Sequence, residues 1–193
     1  LSVLDVGLGA GHLARRIRPR CRYLEGIELD PEAAREGSTF FDDPVLDDVV
    51  RGLAGPWREP FDVVVAADIL EHLPEPGQAL DLLRPLLREG GLLLVSLPNV
   101  ANVTVRLALL CGRFPRTERG ILDRTHLRFF TRRSGRELLE AHGFRVARET
   151  PTAMPVELAL PLLGRPPLGP SVRAGPALFA RVWPGMLPPI IST

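Results

Sequence analysis

The chain has 193 residues, of which 45% are hydrophobic, and a formal net charge of +1, which fits one domain with a substantial core. All 24 basic side chains are arginines spread along the sequence, which excludes lysine-dependent chemistry and disfavours a dedicated nucleic-acid-binding face. Cys21 and Cys111 match no metal-binding spacing, and no apolar stretch reaches the roughly 18 residues of a transmembrane segment, so we expect a cytoplasmic protein with reduced thiols.

The opening segment, VLDVGLGAG, joins a short apolar strand to a glycine-rich turn. Asp5 lies at the end of this strand, and a helix is predicted to begin near Gly11. Gly7, Gly9 and Gly11 allow a sharp turn and a close approach of the backbone to a ligand. The pattern therefore predicts a cofactor cradle. Because the sequence begins inside this strand, we also expect a domain truncated at its amino terminus.

A second strand is predicted over residues 23–29, before a helix with Pro31 in its first turn. Glu28 falls at the end of this strand, where a carboxylate can accept both hydroxyls of a ribose, so a nucleoside ligand is predicted. Residues 38–41 are interpreted as a short third strand that ends at Asp42 or Asp43. The following segment, DDPVLDDVV, is interpreted as the start of a helix.

Two further strands complete the predicted parallel region. Residues 61–67 form an apolar run that ends beside Asp68, and residues 92–97 form a fifth strand followed by Asn99. Between them, leucines at helical spacing predict a helix that Pro85 bends or shortens and that Gly90 and Gly91 stop. Strands that alternate with helices predict ligands at the carboxyl ends of the strands.

The remaining sequence predicts helices over residues 100–110 and 134–142 and a strand over residues 144–149. Residues 151–176 are rich in proline and are interpreted as an irregular excursion. A last strand is predicted over residues 177–183.

The segments VLDVGLGAG, GIELDPEAA, FDVVVAADILEHL and LREGGLLLVSLPN, supported by THLRFFTRRSGRELLEAHGF, resemble the class I S-adenosylmethionine-dependent methyltransferases. The closest likeness is to the small-molecule branch, which includes ubiquinone-biosynthesis, glycan and natural-product methyltransferases. The resemblance implies an α/β, Rossmann-like sheet of seven mostly parallel strands with helices on both faces and an antiparallel last strand. Residues 1–193 would then form a single methyltransferase domain.

The resemblance also implies where S-adenosylmethionine binds. Its methionine end would lie over the glycine turn, its ribose on Glu28, and its adenine beside an acidic residue after the third strand. The family often has Cys after the first glycine, where this chain has Leu8. The predicted cofactor-binding residues are Asp5, Gly7, Gly9, Gly11, Glu28, Asp42 or Asp43, Ala67 and Asp68.

The acceptor side of the predicted cleft holds a second group of polar residues. If a helical turn follows the fourth strand, Asp68, Glu71 and His72 share one face of it. Related methyltransferases carry a similar acid-x-x-Glu-His cluster that holds a divalent metal, sometimes with a later histidine, for which His126 is the candidate. Without a metal, His72 or His126 becomes the candidate general base, with Asp68 beside it.

The prediction is therefore methyl transfer to a small-molecule acceptor, most simply to a hydroxyl of a sugar, a lipid-linked compound or an aromatic compound. Two alternatives stay open: an oxidoreductase that binds a nicotinamide dinucleotide, and a methyltransferase-like domain that serves as a partner or regulator without catalysis. The sequence leaves the oligomeric state open.

Overall fold

The computed structural model describes residues 1–57, 60–151 and 189–192 of the chain. Strands and helices alternate through most of these residues. The strands are β1 Ser2–Val6, β2 Tyr23–Glu28, β3 Asp43–Leu46, β4 Phe61–Ala67, β5 Leu87–Ser96, β6 Arg148–Pro151 and β7 Pro189–Ser192. The helices are α1 His12–Ile17, α2 Pro31–Gly37, α3 Val49–Leu53, α4 Pro76–Leu83, α5 Val103–Leu110 and α6 Arg132–Ala141.

The strands form a mostly parallel sheet in which β1 is central. The order of the first five strands is β3-β2-β1-β4-β5, and all four of these pairings are parallel. Beyond β5 the sheet continues with β7, which is antiparallel to both β5 and β6. The predicted α/β, Rossmann-like fold with a mostly parallel sheet is confirmed. The strand order reverses between β1 and β4, and in such sheets this is where a crevice for ligands opens.

The core lies where the apolar strands meet α4. All five residues of β1 are buried, and Leu4, Val64 and Leu93 of three neighbouring strands have no exposed surface. Leu80 and Leu83 of α4 pack against the same cluster. Full burial of a leucine side chain contributes about 1.5–3 kcal/mol, so this cluster accounts for much of the drive to fold.

The third strand lies later in the chain than predicted. Residues 38–40 form a 3-10 turn, and β3 is Asp43–Leu46, in the segment that was interpreted as the start of a helix. Asp42 fixes this register, because its backbone amide donates to Leu24 O at 2.8 Å and its Oδ2 accepts from Leu24 N at 2.8 Å. Pro44 is tolerated because β3 is an edge strand with only one hydrogen-bonded neighbour.

Other boundaries differ by a few residues. The helix α4 ends at Leu83, where Pro85 imposes a 3-10 turn, so Gly90 and Gly91 lie inside β5 and do not stop the helix. The predicted strand over residues 61–67 has the observed bounds. The predicted last strand over residues 177–183 and residues 152–176 of the proline-rich segment lie outside the described residues. Among the described residues, no helix is long and apolar enough to cross a bilayer.

The loop after β1 is held by close packing against α2. The side chain of Leu8 is buried, and a Cβ on Gly37 would lie 2.6 Å from Leu8 Cδ1 and 2.5 Å from the carbonyl oxygen of Gly9. A Cβ on Gly26 would lie 2.7 Å from Leu8 Cδ2. Leu8 therefore fills the space beneath the glycine loop and does not face the ligand side, which explains why the loop accepts leucine at this position.

We predict that Gly37→Ala destabilises the protein more than Gly9→Ala does. Gly37 has an ordinary φ of −75°, but a methyl group there would collide with the backbone of the glycine loop. Overpacking of this kind costs about 2–3 kcal/mol. Gly9 has a φ of +52°, but a Cβ there meets no heavy atom within 4 Å, so the cost is the backbone strain of about 1 kcal/mol.

Urea denaturation of both variants beside the wild type measures these costs. Equal losses in the two variants, or a larger loss for Gly9→Ala, would contradict the packing described for Gly37.

Candidate active site

The carboxylate of Glu28 ties the glycine loop to the turn between β2 and α2. Its Oε2 accepts from the amide of Gly9 at 2.8 Å, and its Oε1 accepts from the amides of Leu29 and Asp30, each at 2.9 Å. The amide of Gly7 donates to Ile27 O at 2.8 Å, which holds the start of the loop against the same strand. Glu28 therefore lies beside the glycine loop, as predicted, and its Oε2 keeps a free acceptor position.

The glycine loop has the conformation that the sequence predicts. Gly7, Gly9 and Gly11 all have positive φ values, of 79°, 52° and 73°. The space above Gly9 is open, since a Cβ there would meet no heavy atom within 4 Å. A ligand can therefore approach the backbone closely at this residue.

Asp5 is a buried carboxylate beneath this loop. Its residue surface is 3% exposed, and among the described residues no hydrogen bond to its side chain is found. Burial, and secondarily the negative charge of Glu28, raise the pKa of Asp5 to about 7. A cationic group near the loop would offset both causes and favour the ionised carboxylate.

The prediction that Asp42 or Asp43 lies at the end of the third strand is wrong, because β3 begins at Asp43. Asp42 precedes β3 and pairs with Arg18 at 2.8 Å, and Asp43 begins β3. Both residues therefore lie at the amino-terminal ends of the parallel strands, whereas the glycine loop lies at their carboxyl-terminal ends. The residue after the carboxyl end of β3 is Asp47, whose amide donates to Glu28 O at 3.0 Å. The sequence DDPVLDDVV offers an acidic pair on each side of the strand, and only the position of the strand distinguishes them.

The end of β4 opens toward the same edge. Ala67 is the last, exposed residue of β4, and Asp68 adopts a φ of +54°, the only positive value among the described non-glycine residues. The carboxylate of Asp68 accepts from the hydroxyl of Ser96 at 2.7 Å, at the end of the neighbouring strand β5. Left-handed backbone at a non-glycine residue is uncommon, and such residues often lie at functional sites.

Glu71, His72 and His126 converge just beyond this turn. Leu70–His72 form a 3-10 turn, and one ligand atom from each of Glu71, His72 and His126 lies within 4.8 Å of the others. Asp68, which was predicted to join them, is not part of this group. His126 Nε2 lies 4.0 Å from Glu71 Oε1, and the two imidazole rings meet edge to face at 4.8 Å.

Backbone hydrogen bonds of the segment 126–130, called the strap below, hold His126 at this position. The amides of Leu127 and Arg128 donate to Glu71 O at 2.8 and 3.0 Å, and Val100 N donates to Phe130 O at 2.8 Å. The strap therefore joins the end of β4 to the loop after β5. Asn99, which follows the predicted fifth strand, is buried and accepts from Ala101 N at 2.9 Å, so it stabilises that loop.

The electrostatics of the cluster are dominated by the burial of the Glu71 carboxylate. Both carboxylate oxygens of Glu71 are buried without a hydrogen-bond partner among the described residues. Burial raises the pKa of Glu71 to about 8, with a smaller contribution from Asp68. Burial also lowers the pKa of His126, whose Nδ1 lies 3.2 Å from Ile121 O. If Nδ1 donates to this carbonyl, Nε2 faces the cluster as an acceptor.

A Rossmann-like sheet with a glycine loop and an acidic residue at the end of β2 defines the class of nucleotide-cofactor-binding α/β proteins. Residues 1–149 match the family described as the methyltransferase domain. The chain belongs to this family, within the class I S-adenosylmethionine-dependent methyltransferases. The nicotinamide-dependent alternative is therefore set aside.

Similar proteins agree with this membership. The ubiquinone biosynthesis O-methyltransferase of Psychrobacter cryohalolentis is 34% identical over 105 residues, which are 51% of this chain and 41% of that protein. The corresponding protein of Xylella fastidiosa is 30% identical over 119 residues, which are 58% of this chain and 48% of its own length. The chain thus spans less than half the length of these curated relatives.

A crystal structure of an S-adenosylmethionine-dependent methyltransferase from Archaeoglobus fulgidus shares the fold, with a TM-score of 0.67 at 16% identity. That comparison covers 100% of this chain and 86% of the other.

We predict that Asp5→Asn removes a pH dependence of stability. The folded-state pKa of about 7 exceeds the model-peptide value of 3.8, so the folded state holds the proton more tightly, and stability is lost as the pH rises between these values. Between pH 5 and pH 8 the free energy of unfolding of the wild type should fall by about 2–3 kcal/mol more than that of the variant.

Urea denaturation of the ligand-free proteins at both pH values gives this difference. Other groups titrate equally in the two proteins and cancel. A wild type whose stability relative to Asp5→Asn does not change with pH would contradict the raised pKa.

Proposed function

We propose that this chain transfers the methyl group of S-adenosylmethionine to a hydroxyl of a small-molecule acceptor. The observation that carries the proposal is the position of the Glu71, His72 and His126 cluster at the same sheet edge as the glycine loop. The curated relatives are named O-methyltransferases, which favours oxygen as the methylated atom. A sugar, a lipid-linked compound or an aromatic compound remains the proposed acceptor class, and the cytoplasm the proposed location.

The residues of the glycine loop fit the cofactor. The open space above Gly9 admits its methionine portion. Asp5 is buried and has no hydrogen-bond partner among the described residues, so it suits a cationic ligand, since the sulfonium and the amino group are both positively charged. The free acceptor position on Glu28 Oε2 suits one ribose hydroxyl. Acceptance of both hydroxyls requires that the Gly9 amide release this oxygen, because the other oxygen already accepts two amides.

The adenine contact is proposed for Asp47 in place of Asp42 or Asp43. Asp47 follows β3 directly, and its backbone is bonded to Glu28, so a ligand whose ribose lies on Glu28 extends its base toward this turn. We also propose that residues 1–193 form a single methyltransferase domain whose sheet has seven strands, the last of them antiparallel, as the resemblance to the family implies.

The acceptor cluster fits a divalent metal. Two buried carboxylate oxygens without partners and two imidazoles within 4.8 Å form a mixed oxygen and nitrogen donor set that suits manganese or zinc. Glu71, His72 and His126 would hold the ion, and Asp68 would add negative charge nearby. A bound metal would polarise an acceptor hydroxyl and lower its pKa.

The chain's own residues supply the rest of the chemistry. Methyl transfer needs mainly alignment of the donor and the acceptor, which can contribute about 7–11 kcal/mol to lowering the barrier. The acceptor hydroxyl must lose its proton, and where no metal is bound the imidazole of His72, which is only half-buried, can take it toward solvent. His126 is buried and held by Ile121 O, so it is suited to orient its neighbours.

The direct test supplies labelled S-adenosylmethionine and a panel of catechols, sugars and polyprenyl phenols, with and without manganese. Label in an ether product supports the proposal. Tight cofactor binding without transfer to any acceptor would favour the non-catalytic partner domain instead.

We predict that Glu28→Ala weakens binding of S-adenosylhomocysteine at least about 100-fold. Each hydrogen bond to a charged acceptor contributes about 1.5–3 kcal/mol, and the loop also loses its tie to β2. Isothermal calorimetry measures the change, with Glu32→Gln as the control, because Glu32 is an exposed carboxylate in the first turn of α2. Equal affinities for the wild type and Glu28→Ala would remove Glu28 from the cofactor site.

We predict that Glu71→Gln and His126→Ala each weaken binding of manganese by at least about 10-fold and lower metal-dependent methyl transfer in proportion. Calorimetric titration with the metal measures this, and His142→Gln serves as the control, because His142 pairs with Asp81 outside the cluster. Full activity in a chelator, together with loss of activity in His72→Ala, would instead favour His72 as a metal-independent base.

A further inference from the structure

A cavity lined by arginines lies between the amino-terminal ends of α5 and α6. Its volume is about 540 Å³, and among the described residues it is lined by Ala101, Arg106, Thr131, Arg132, Arg133 and Arg136. All of the charged side chains in this lining are arginines. The lining of the cavity therefore concentrates positively charged groups, which favour anionic ligands.

Two of these guanidinium groups are held in place by a buried carboxylate. Glu149 has a side chain that is 6% exposed, and it forms ion pairs with Arg132 and, at 2.5 Å, with Arg136. Each guanidinium has five N–H donors, so donors remain for a ligand after these contacts. Glu149 thus acts as a positioning residue that reduces the cost of ordering two flexible side chains around a bound anion.

Arg106 and Arg133 are the other two arginines of the cavity, and their positive charges are only weakly compensated. Arg106 has no ion pair among the described residues, and Arg133 pairs with Glu137 on the exposed face of α6, where its side chain is 88% exposed. The remaining nearby carboxylate, Glu140, is half-exposed and lies 3.6 Å from Arg136. Exposed pairs of this kind contribute little and exchange readily for a better anionic partner.

The cavity is connected to the acceptor cluster by a short length of chain. Thr131, in its lining, follows His126 by five residues along the strap, so their Cα atoms are at most about 18 Å apart. Phe130, the residue between the strap and the cavity, bridges to Asn99 at the end of β5. One extended molecule can therefore reach both places.

We propose that the arginine cavity binds the phosphate or diphosphate group of the acceptor whose hydroxyl is methylated. Guanidinium groups bind phosphate oxygens in a bidentate manner, and several of them match a multivalent anion better than a single carboxylate. The inference rests on the proposed function, because it identifies the acceptor as a phosphorylated small molecule.

Calorimetric titration with inorganic pyrophosphate tests the cavity without any methyl transfer. Arg106→Gln and Arg133→Gln should each weaken pyrophosphate binding about tenfold, the loss of one charge-assisted contact. Arg16→Gln, which removes an exposed arginine of α1, should leave binding unchanged. The absence of pyrophosphate binding to the wild type, or equal weakening in all three variants, would overturn the proposal.

Kinetics distinguish an acceptor phosphate from a free phosphate effector. If the cavity binds the acceptor, pyrophosphate inhibits methyl transfer competitively with the acceptor, and Arg106→Gln raises KM for a phosphorylated acceptor about tenfold while kcat stays within about twofold. Inhibition or activation that does not compete would overturn the acceptor assignment. Failure of the proposed function would appear separately, as absent methyl transfer despite intact pyrophosphate binding, and would also overturn that assignment.

Discussion

The carboxylate of Glu28 is the contact on which the conformation of the glycine loop depends. The glycine loop has little side-chain packing of its own, and Gly9 is held by the bond from its amide to Glu28 Oε2 at 2.8 Å. The same carboxylate also accepts the amides of the turn that begins α2. This carboxylate thus fixes the loop before a ligand arrives, and in the proposed complex only a second ribose hydroxyl would have to displace the Gly9 amide. The loop is preorganised, but it is not closed to its ligand.

The packing beneath the loop imposes the second constraint. Leu8 occupies the space that Gly26 and Gly37 leave free, so the loop and α2 approach each other at backbone distance. Glycines outside the recognisable motif are therefore as necessary as those within it. The motif glycines permit a left-handed backbone, whereas Gly37 permits contact between two segments, and only the three-dimensional arrangement separates these two requirements.

The sequence was most informative where one pattern had one interpretation. The apolar run of β4 follows Pro60 and ends before Asp68, and its predicted limits agree with the structure. The segment that contains β3 was ambiguous because acidic pairs flank a short strand on both sides, and its edge position allows a proline that argues against a strand. His126 and Glu71 are in contact although 55 positions separate them in the sequence. Local periodicity cannot predict such a contact, and only the resemblance to the family indicates it.

Asp5 and Glu71 are buried carboxylates for which no hydrogen-bond partner is found among the described residues, and their burial has the same physical consequence. Asp5 and Glu71 both have pKa values raised by burial, to about 7 and about 8. A chain that buries a carboxylate without a partner loses stability near neutral pH, and this cost is offset when a cation binds beside it. For Asp5 the cation would be the sulfonium or amino group of the cofactor, and for Glu71 a metal ion. Under the proposed function, the stability that each buried carboxylate costs the ligand-free protein would be recovered as binding energy when its cation binds.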